Sequence, residues 1–268
     1  MLTMMYAALI GSPVSHSVAP TLHEHMARLA GIEFKYLKIH VEKSDLINSL
    51  EALRQLGFSG CNVTLPYKED VVAYLDEIDE VAAESGAVNT LVFRDGKVRG
   101  LNTDWRGVEQ GLKFASLPAE SSNGSVAILG SGGAARAAIF AVRRLGYQSI
   151  SVFHISPIDD RAKRLQDEAV RSGFSMHEYD DVTEVIRKAN LVCNMTSTGM
   201  IGQASSSFAL ERLDSVDLNG KYFFDAVFNP VRTPFLSYGM ARGAVTVDGI
   251  WMILVHEVGA GSSSPAAQ

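Results

Sequence analysis

The chain has 268 residues, 47% of them hydrophobic and 20% charged, with a net charge of −6. These totals fit one large or two ordinary globular domains of soluble type. They exclude several classes: no apolar run is long enough to span a bilayer, no Lys/Arg cluster offers a footprint for nucleic acid, and residues 1–5 are too short and uncharged for a secretory signal.

The two cysteines, Cys61 and Cys193, sit in apolar strand-like runs. They read as buried hydrophobes of a reducing, cytoplasmic setting, not as a disulfide or metal site. No His/Cys/Asp/Glu spacing suits a metal, and no repeat of fixed period is visible.

In chain order, residues 5–10 predict an apolar strand ending at Gly11-Ser12-Pro13. Ser15-His16-Ser17 then lead into a helix, with Pro20 in its first turn and residues 21–29 continuing it to Gly31. Hydroxyl donors and orphan N–H groups at such an entry suit a carboxylate, although a serine there is more commonly a plain helix cap. Residues 34–39 predict a second strand. Residues 44–57 predict a helix with Leu46, Ile47, Leu50, Leu53 and Leu56 on one face.

A short apolar strand follows, running into Asn62-Val63-Thr64-Leu65-Pro66-Tyr67-Lys68, and Pro66 precedes a helix through residues 71–75. Lys68 then stands in a helical first turn, against the helix dipole, where an amine titrates lower and suits proton transfer. On residue type alone a solvated surface lysine is the commoner case. Residues 80–85 predict a helical turn stopped by Gly86. Residues 88–93 predict a strand carrying Asn89 and Thr90, and Asp95-Gly96 turn it into a hairpin with 97–101. Asn102-Thr103-Asp104-Trp105 enter a helix over 106–114, where a helix cap and a favourable first-turn charge are alternative roles for these polar residues. Three loops thus set hydroxyls, amides, one Lys and one Asp beyond the C-terminal ends of strands, where α/β sheets collect ligands.

Residues 126–129 predict a buried strand and 134–145 an Ala-rich helix, with Gly130-Ser131-Gly132-Gly133-Ala134-Ala135-Arg136 around the turn between them. Strand, tight glycine turn and helix form the context in which this spacing marks a dinucleotide site. Gly130 permits the turn, Gly132 lets a pyrophosphate approach the backbone, and small Ala135 lets helix and strand pack. The helix N-terminus offers unpaired N–H groups to phosphate. Further strands are predicted at 149–154, 191–195, 221–227 and 244–247, and helices at 182–189 and 234–241. Thr196-Ser197-Thr198-Gly199-Met200 form a strand-end loop. Asp248-Gly249 open a last helix over 250–258 carrying His256, and residues 259–268 have the composition of a disordered tail.

Six segments, in this order along the chain, resemble the shikimate dehydrogenase family. They are Gly11-Ser12-Pro13-Val14-Ser15-His16-Ser17, Asn62-Val63-Thr64-Leu65-Pro66-Tyr67-Lys68, Gly86-Ala87-Val88-Asn89-Thr90, Asn102-Thr103-Asp104, Gly130-Ser131-Gly132-Gly133-Ala134-Ala135-Arg136-Ala137, and Asn194-Met195-Thr196-Ser197-Thr198-Gly199-Met200. The resemblance covers nearly the whole chain, from about residue 9 to 259. It implies an α/β fold with an N-terminal α/β substrate domain (1–103) and a C-terminal Rossmann-like NAD(P)-binding domain (104–247). Residues 248–268 would hold a helix returning to the substrate domain, with the tail beyond it. The active site of the family lies in the cleft between its domains.

The resemblance also implies an oxidoreductase interconverting a cyclic hydroxy acid and its ketone, of the shikimate/3-dehydroshikimate type, as a monomer or homodimer. Lys68 and Asp104 would be the catalytic pair, and Ser15, Ser17, Thr64, Asn89, Phe228 and His256 would bind substrate. Cofactor contacts would come from Gly130, Ser131, Gly132, Gly133, Ala134, His154, Ser156, Arg161, Thr196, Ser197, Gly199, Met200, Val227 and Gly249.

Three positions depart from the family pattern. Ala19 replaces a second Ser or Thr, Phe228 replaces a Tyr, and His256 replaces a Gln. Two hydroxyls are lost, each worth about 1 kcal/mol of binding, and an imidazole is gained, either as a cationic carboxylate contact or as a buried neutral ring. Quinate or an amino analogue therefore stands beside shikimate as substrate, and a non-catalytic ligand-binding regulator on the same fold is the alternative from another class. Where NADP-using members carry Asn-Arg-Thr, this chain has His154-Ile155-Ser156. Arg161 is available to a phosphate, with Asp159 and Asp160 nearby opposing one. NAD and NADP both stay open, with a lean to NADP.

Overall fold

The structure, a computed structural model, describes residues 4–15, 17–117, 124–154, 158, 160–201 and 210–254. His16, Ser156, His256 and the tail lie outside the described residues, as does the side chain of Arg161. The chain divides into two compact units, one ending at Thr103 and the other beginning at Asp104.

The first unit is a mixed α/β layer. Its elements are β1 (Met5–Gly11), α1 (Ala19–Leu29), β2 (Phe34–His40), α2 (Leu46–Gln55), β3 (Gly60–Val63), β4 (Glu77–Ile78), α3 (Glu80–Ser85), β5 (Thr90–Arg94) and β6 (Lys97–Leu101). The sheet runs β2-β1-β3-β5-β6-β4. β1 pairs parallel with both β2 and β3, whereas β5 is antiparallel to β3 and β6. Ile10, Leu46, Leu50, Leu53, Val63 and Val71 fill its core. Leu46, Leu50 and Leu53 are buried as the helical period requires. Ile47 and Leu56, expected on the same face, are instead 47% and 74% exposed: Ile47 lies beside the buried stripe of α2, and Leu56 is the cap beyond its last turn.

The second unit is a doubly wound parallel sheet. Its elements are α4 (Asp104–Phe114), β7 (Ser125–Leu129), α5 (Gly133–Arg144), β8 (Ser149–His154), α6 (Asp160–Ser172), β9 (Ser175–Glu178), α7 (Val182–Lys188), β10 (Leu191–Asn194), β11 (Tyr222–Asp225), α8 (Pro234–Met240) and β12 (Val245–Val247). The order β12-β11-β10-β7-β8-β9 is parallel throughout. The strands read as unbroken apolar runs because helices cover both faces. Strand order reverses between β7 and β10, and such a switch point is where open α/β sheets bind ligands.

One expected helix is different. Residues 71–75 do not form an α-helix; Asp70–Tyr74 make a single 3-10 stretch, ended by extended Leu75. Lys68 lies in a turn before it. The dipole of a helical first turn therefore has no part in its chemistry.

Candidate active site

In the first unit, polar residues gather just beyond the C-terminal ends of β1, β3 and β6. The loop after β1 is tied to the loop after β3, since Ser12 N–H donates to Leu65 O at 2.9 Å and Thr64 N–H to Ile10 O at 2.9 Å. This brings Ser15 and Ser17 onto the same edge as Thr64. Ser17 Oγ accepts from Ala19 N–H at 3.2 Å, so this hydroxyl does serve as a cap at the start of α1 while it remains half-buried. Val18 immediately before α1 offers no side-chain cap.

Lys68 is held by its backbone. Val88 N–H donates to Lys68 O at 2.7 Å, which sets the lysine next to the residue that precedes Asn89. The side chain of Lys68 is half-buried. Asn89 is fully buried, and its amide is oriented from several sides. Its Oδ1 accepts from Thr103 N–H at 3.1 Å and from Thr90 Oγ1 at 3.0 Å, while Nδ2 donates to Thr103 Oγ1 at 3.1 Å. Behind it, Asn62 Nδ2 donates to Thr90 Oγ1 at 3.0 Å, and Tyr36 Oη donates to Asn62 Oδ1 at 2.6 Å. Buried polar groups of this kind are costly unless satisfied, and once satisfied they fix one geometry.

Thr103 leads directly into Asp104, the first residue of α4, which is 5% exposed. A carboxylate in the first helical turn is favoured by the helix dipole. Asn102, a candidate cap, instead turns back and donates to Ser85 Oγ and Ala87 O.

In the second unit, the glycine turn stands at the switch point. Gly130 has φ +109, a conformation side chains rarely adopt, and its N–H donates to Phe153 O at 2.9 Å. A Cβ here would sit 3.0 Å from Met195 O and from Thr196 Cγ2, so the turn is packed on the 196–200 loop. Gly132, the N-cap of α5, has open space where a Cβ would project. No side chain caps α5, so the N–H groups at Gly133 and Ala134 present a cradle suited to a pyrophosphate. Ser131 flanks it, half-buried.

The 196–200 loop is held by a carboxylate not anticipated from the sequence as a site residue. Asp225 is fully buried at the end of β11. Its Oδ1 accepts from Asn194 Nδ2 and Val227 N–H, both at 2.9 Å, and Oδ2 accepts from Thr233 Oγ1 at 2.5 Å. Asn194 Oδ1 in turn accepts from Thr196 Oγ1 at 2.7 Å and Thr196 N–H at 3.2 Å, and Thr198 N–H donates to Thr196 Oγ1. Burial pushes the Asp225 carboxyl up to about 6, against the hydrogen bonds from Thr233, Val227 and Asn194. The signal available in the sequence was a polar residue closing each of two apolar strands.

Gly249 belongs to the same edge. A Cβ on it would meet Ala226 O at 2.5 Å, so its backbone lies against that of Val227. Ser197, Gly199 and Met200 are half-buried along the loop. A small, mostly apolar cleft opens between Leu129, Thr198, Gly199 and Phe235. His154 closes β8 and is 6% exposed. Phe228, three residues beyond Asp225, is half-buried.

Cys61 and Cys193 are buried and unpaired with each other, and burial pushes both thiols up, away from reactivity. Among the described residues no group of three or more His, Cys, Asp or Glu side chains is placed to hold a metal. Among them, too, no helix is long and apolar enough to cross a membrane.

Comparison with known proteins gives concordant likenesses. The family model for the shikimate dehydrogenase substrate binding domain matches residues 9–91. A shikimate dehydrogenase (NADP(+)) from Cereibacter sphaeroides is 35% identical over 260 residues, covering 95% of this chain and 89% of that protein. Among solved structures, shikimate 5-dehydrogenase from Thermus thermophilus in complex with NADP(H) and shikimate superposes with a TM-score of 0.80 at 31% identity, covering 96% of this chain and 92% of the other. Quinate dehydrogenase from Corynebacterium glutamicum in complex with NAD gives 0.80 at 31% identity, with the same coverage.

Proposed function

Because the chain belongs to the shikimate dehydrogenase family, we propose that it is an NAD(P)-dependent oxidoreductase interconverting shikimate and 3-dehydroshikimate. On this reading residues 1–103 are the substrate domain and 104–247 the dinucleotide domain. The partner is a small cyclic hydroxy acid. A net charge of −6 provides no attraction for nucleic acid.

The residues present fit a dinucleotide: an uncapped helix start, an open space at Gly132 and a braced 196–200 loop. That cofactor supplies the hydride chemistry. The chain supplies the rest. Oxidation of a secondary alcohol needs its hydroxyl proton removed as the C–H bond gives up its hydride. Lys68, as a neutral amine, accepts that proton at Nζ. In the reverse direction, the ammonium returns it to the ketone oxygen. Asp104 orients the amine and accepts a hydrogen bond from the substrate hydroxyl. Asn89, with its amide fixed by Thr103 and Thr90, and Thr64 bond ring hydroxyls. Ser15 and Ser17 take the carboxylate.

The observation that carries this reading is the placement of Lys68, tied through Val88 to the edge that holds Thr64 and buried Asn89. Ala19 and Phe228 supply a methyl group and a phenyl ring where the family pattern has hydroxyls. Together with the similar quinate dehydrogenase structure, these changes keep quinate or an amino analogue as the second substrate reading. The relatives' names lean the cofactor towards NADP.

A matrix of shikimate and quinate against NADP and NAD, read by absorbance of the reduced nicotinamide, tests the assignment. Turnover with at least one pair is expected, and no turnover with any pair rejects it. Lys68→Ala is expected to lower kcat by about a hundredfold or more while shikimate still binds. Full turnover in that variant removes Lys68 from the chemistry.

A further inference from the structure

We propose that Lys38 is a specificity-determining residue: its ammonium shapes the Ser15–Ser17 segment and lends it the positive charge that selects a carboxylate-bearing substrate. This rests on the reading of that segment as the carboxylate cradle. Lys38 stands near the C-terminal end of β2, abreast of Leu9 in β1, which is itself abreast of Asn62 in β3. Tyr36, two residues earlier and so on the same sheet face, reaches Asn62 with its hydroxyl. Lys38 therefore projects on the face that carries the buried polar network towards Asn89, at the end where α1 begins.

Its Nζ donates to Ser15 O at 2.7 Å and reaches Ser17 O at 3.4 Å. The bonds span 23 and 21 residues of sequence and clasp the loop from the strand edge. Three other lysines of this unit face carboxylates: Lys35 meets Glu24, Lys43 meets Asp70 and Lys97 meets Glu77. Among the described residues, no carboxylate oxygen lies within 4.0 Å of Lys38 Nζ; the cation is spent on loop carbonyls. The first turn of α1 carries no acidic residue either. Lysine charge and helix start therefore add with the same sign beside two serine hydroxyls, and nothing described in the loop neutralises them. A carboxylate placed there gains charge-assisted hydrogen bonds, which are about twice as strong as neutral ones.

Full-length Lys38→Met and Lys38→Arg test this, with steady-state kinetics on shikimate and on its uncharged methyl ester at saturating dinucleotide. For Lys38→Met the expected result is a KM for shikimate raised about tenfold, equivalent to one charge-assisted contact, with kcat within about twofold of wild type. The KM for the ester should not move, and Lys38→Arg should restore most of the loss. An unchanged shikimate KM, or an equal rise for acid and ester, overturns the inference, since a purely structural clasp would affect both substrates alike. Calorimetric binding of shikimate to the same proteins separates this idea from the proposed reaction. A chain that turns over nothing but binds shikimate about tenfold more weakly as Lys38→Met loses the reaction and keeps the inference. A wild-type chain that binds no shikimate overturns both.

Discussion

At the scale of single residues, Asp225 shows how a strand end becomes part of a site. Its carboxylate collects three donors from three segments: Asn194 at the end of β10, Val227 after β11 and Thr233 before α8. These partners fit a charged acceptor, yet burial still lifts the group from 3.8 to about 6. The sign of the resulting linkage follows from the direction. A carboxyl raised in the folded state binds its proton more tightly there than in the unfolded chain, so its contribution to stability is greatest below about 3.8 and declines as pH rises to about 6. The span corresponds to about 3 kcal/mol. Asp225→Asn keeps an acceptor towards Asn194 and Val227 and cannot ionise. Denaturation of both proteins from pH 4 to 7.5 should show wild type losing ground to the variant up to about pH 6, then running parallel. Parallel curves across the whole range would show that this carboxyl does not titrate there. The register Asn194↔Asp225 creates this network. Two polar residues thirty-one positions apart give no local pattern, so reading along the chain did not single out Asp225.

At the scale of elements, the turn between β7 and α5 was the most legible feature, because every constraint on it is local. A buried apolar strand, a positive-φ glycine and a small-residue helix follow one another within twenty residues. The stretch after Pro66 was less legible. Its apolar residues fit a helix, but the chain turns only once, as a 3-10 segment, before Leu75 becomes extended. Two edge strands, β4 and β9, also carry little signal of their own: β4 has only two residues, and half of the four in β9 are exposed. The glycine turn allows a sharp contrast. Gly130→Ala forces a side chain into φ +109 and to within 3.0 Å of Met195 O, a strain of about 1–3 kcal/mol. Gly132→Ala meets nothing within 4 Å at an allowed φ of −90, so its stability cost stays below about 1 kcal/mol. Its methyl group would enter the space offered to the pyrophosphate. Thermal melts should therefore single out Gly130→Ala. Dinucleotide titration should show Gly132→Ala binding at least about tenfold more weakly while melting like wild type. Native affinity in a stable Gly132→Ala protein would place the phosphates elsewhere.

At the scale of the whole molecule, periodicity and turn residues recovered most elements, whereas strand order had to come from the fold. No local rule sets β10 beside β7 on the side away from β8, and that pairing turns the glycine loop and the 196–200 loop into one edge. Under the proposed function the two units divide the binding work, with different amides offered to each ligand. The N–H groups open to phosphate are those at the start of α5, and the loop they adjoin is held by Asn194 and Asp225. The polar edge of the first unit, from Ser15 through Thr64 to Asn89, involves none of those residues. Any ligand that binds only the folded state stabilises it by mass action, by about 2.7 kcal/mol at one hundred times its Kd, and local opening is suppressed where the ligand makes contact. Hydrogen exchange should therefore give two separate footprints. Dinucleotide alone should slow amides at 133–135, 196–200 and 226–227, and shikimate alone should slow those at 15–19, 64–68 and 88–90. Dinucleotide protection centred on the second set, or shikimate protection centred on α5, would reverse the assignment of the units and with it the roles given to Lys68 and the glycine turn.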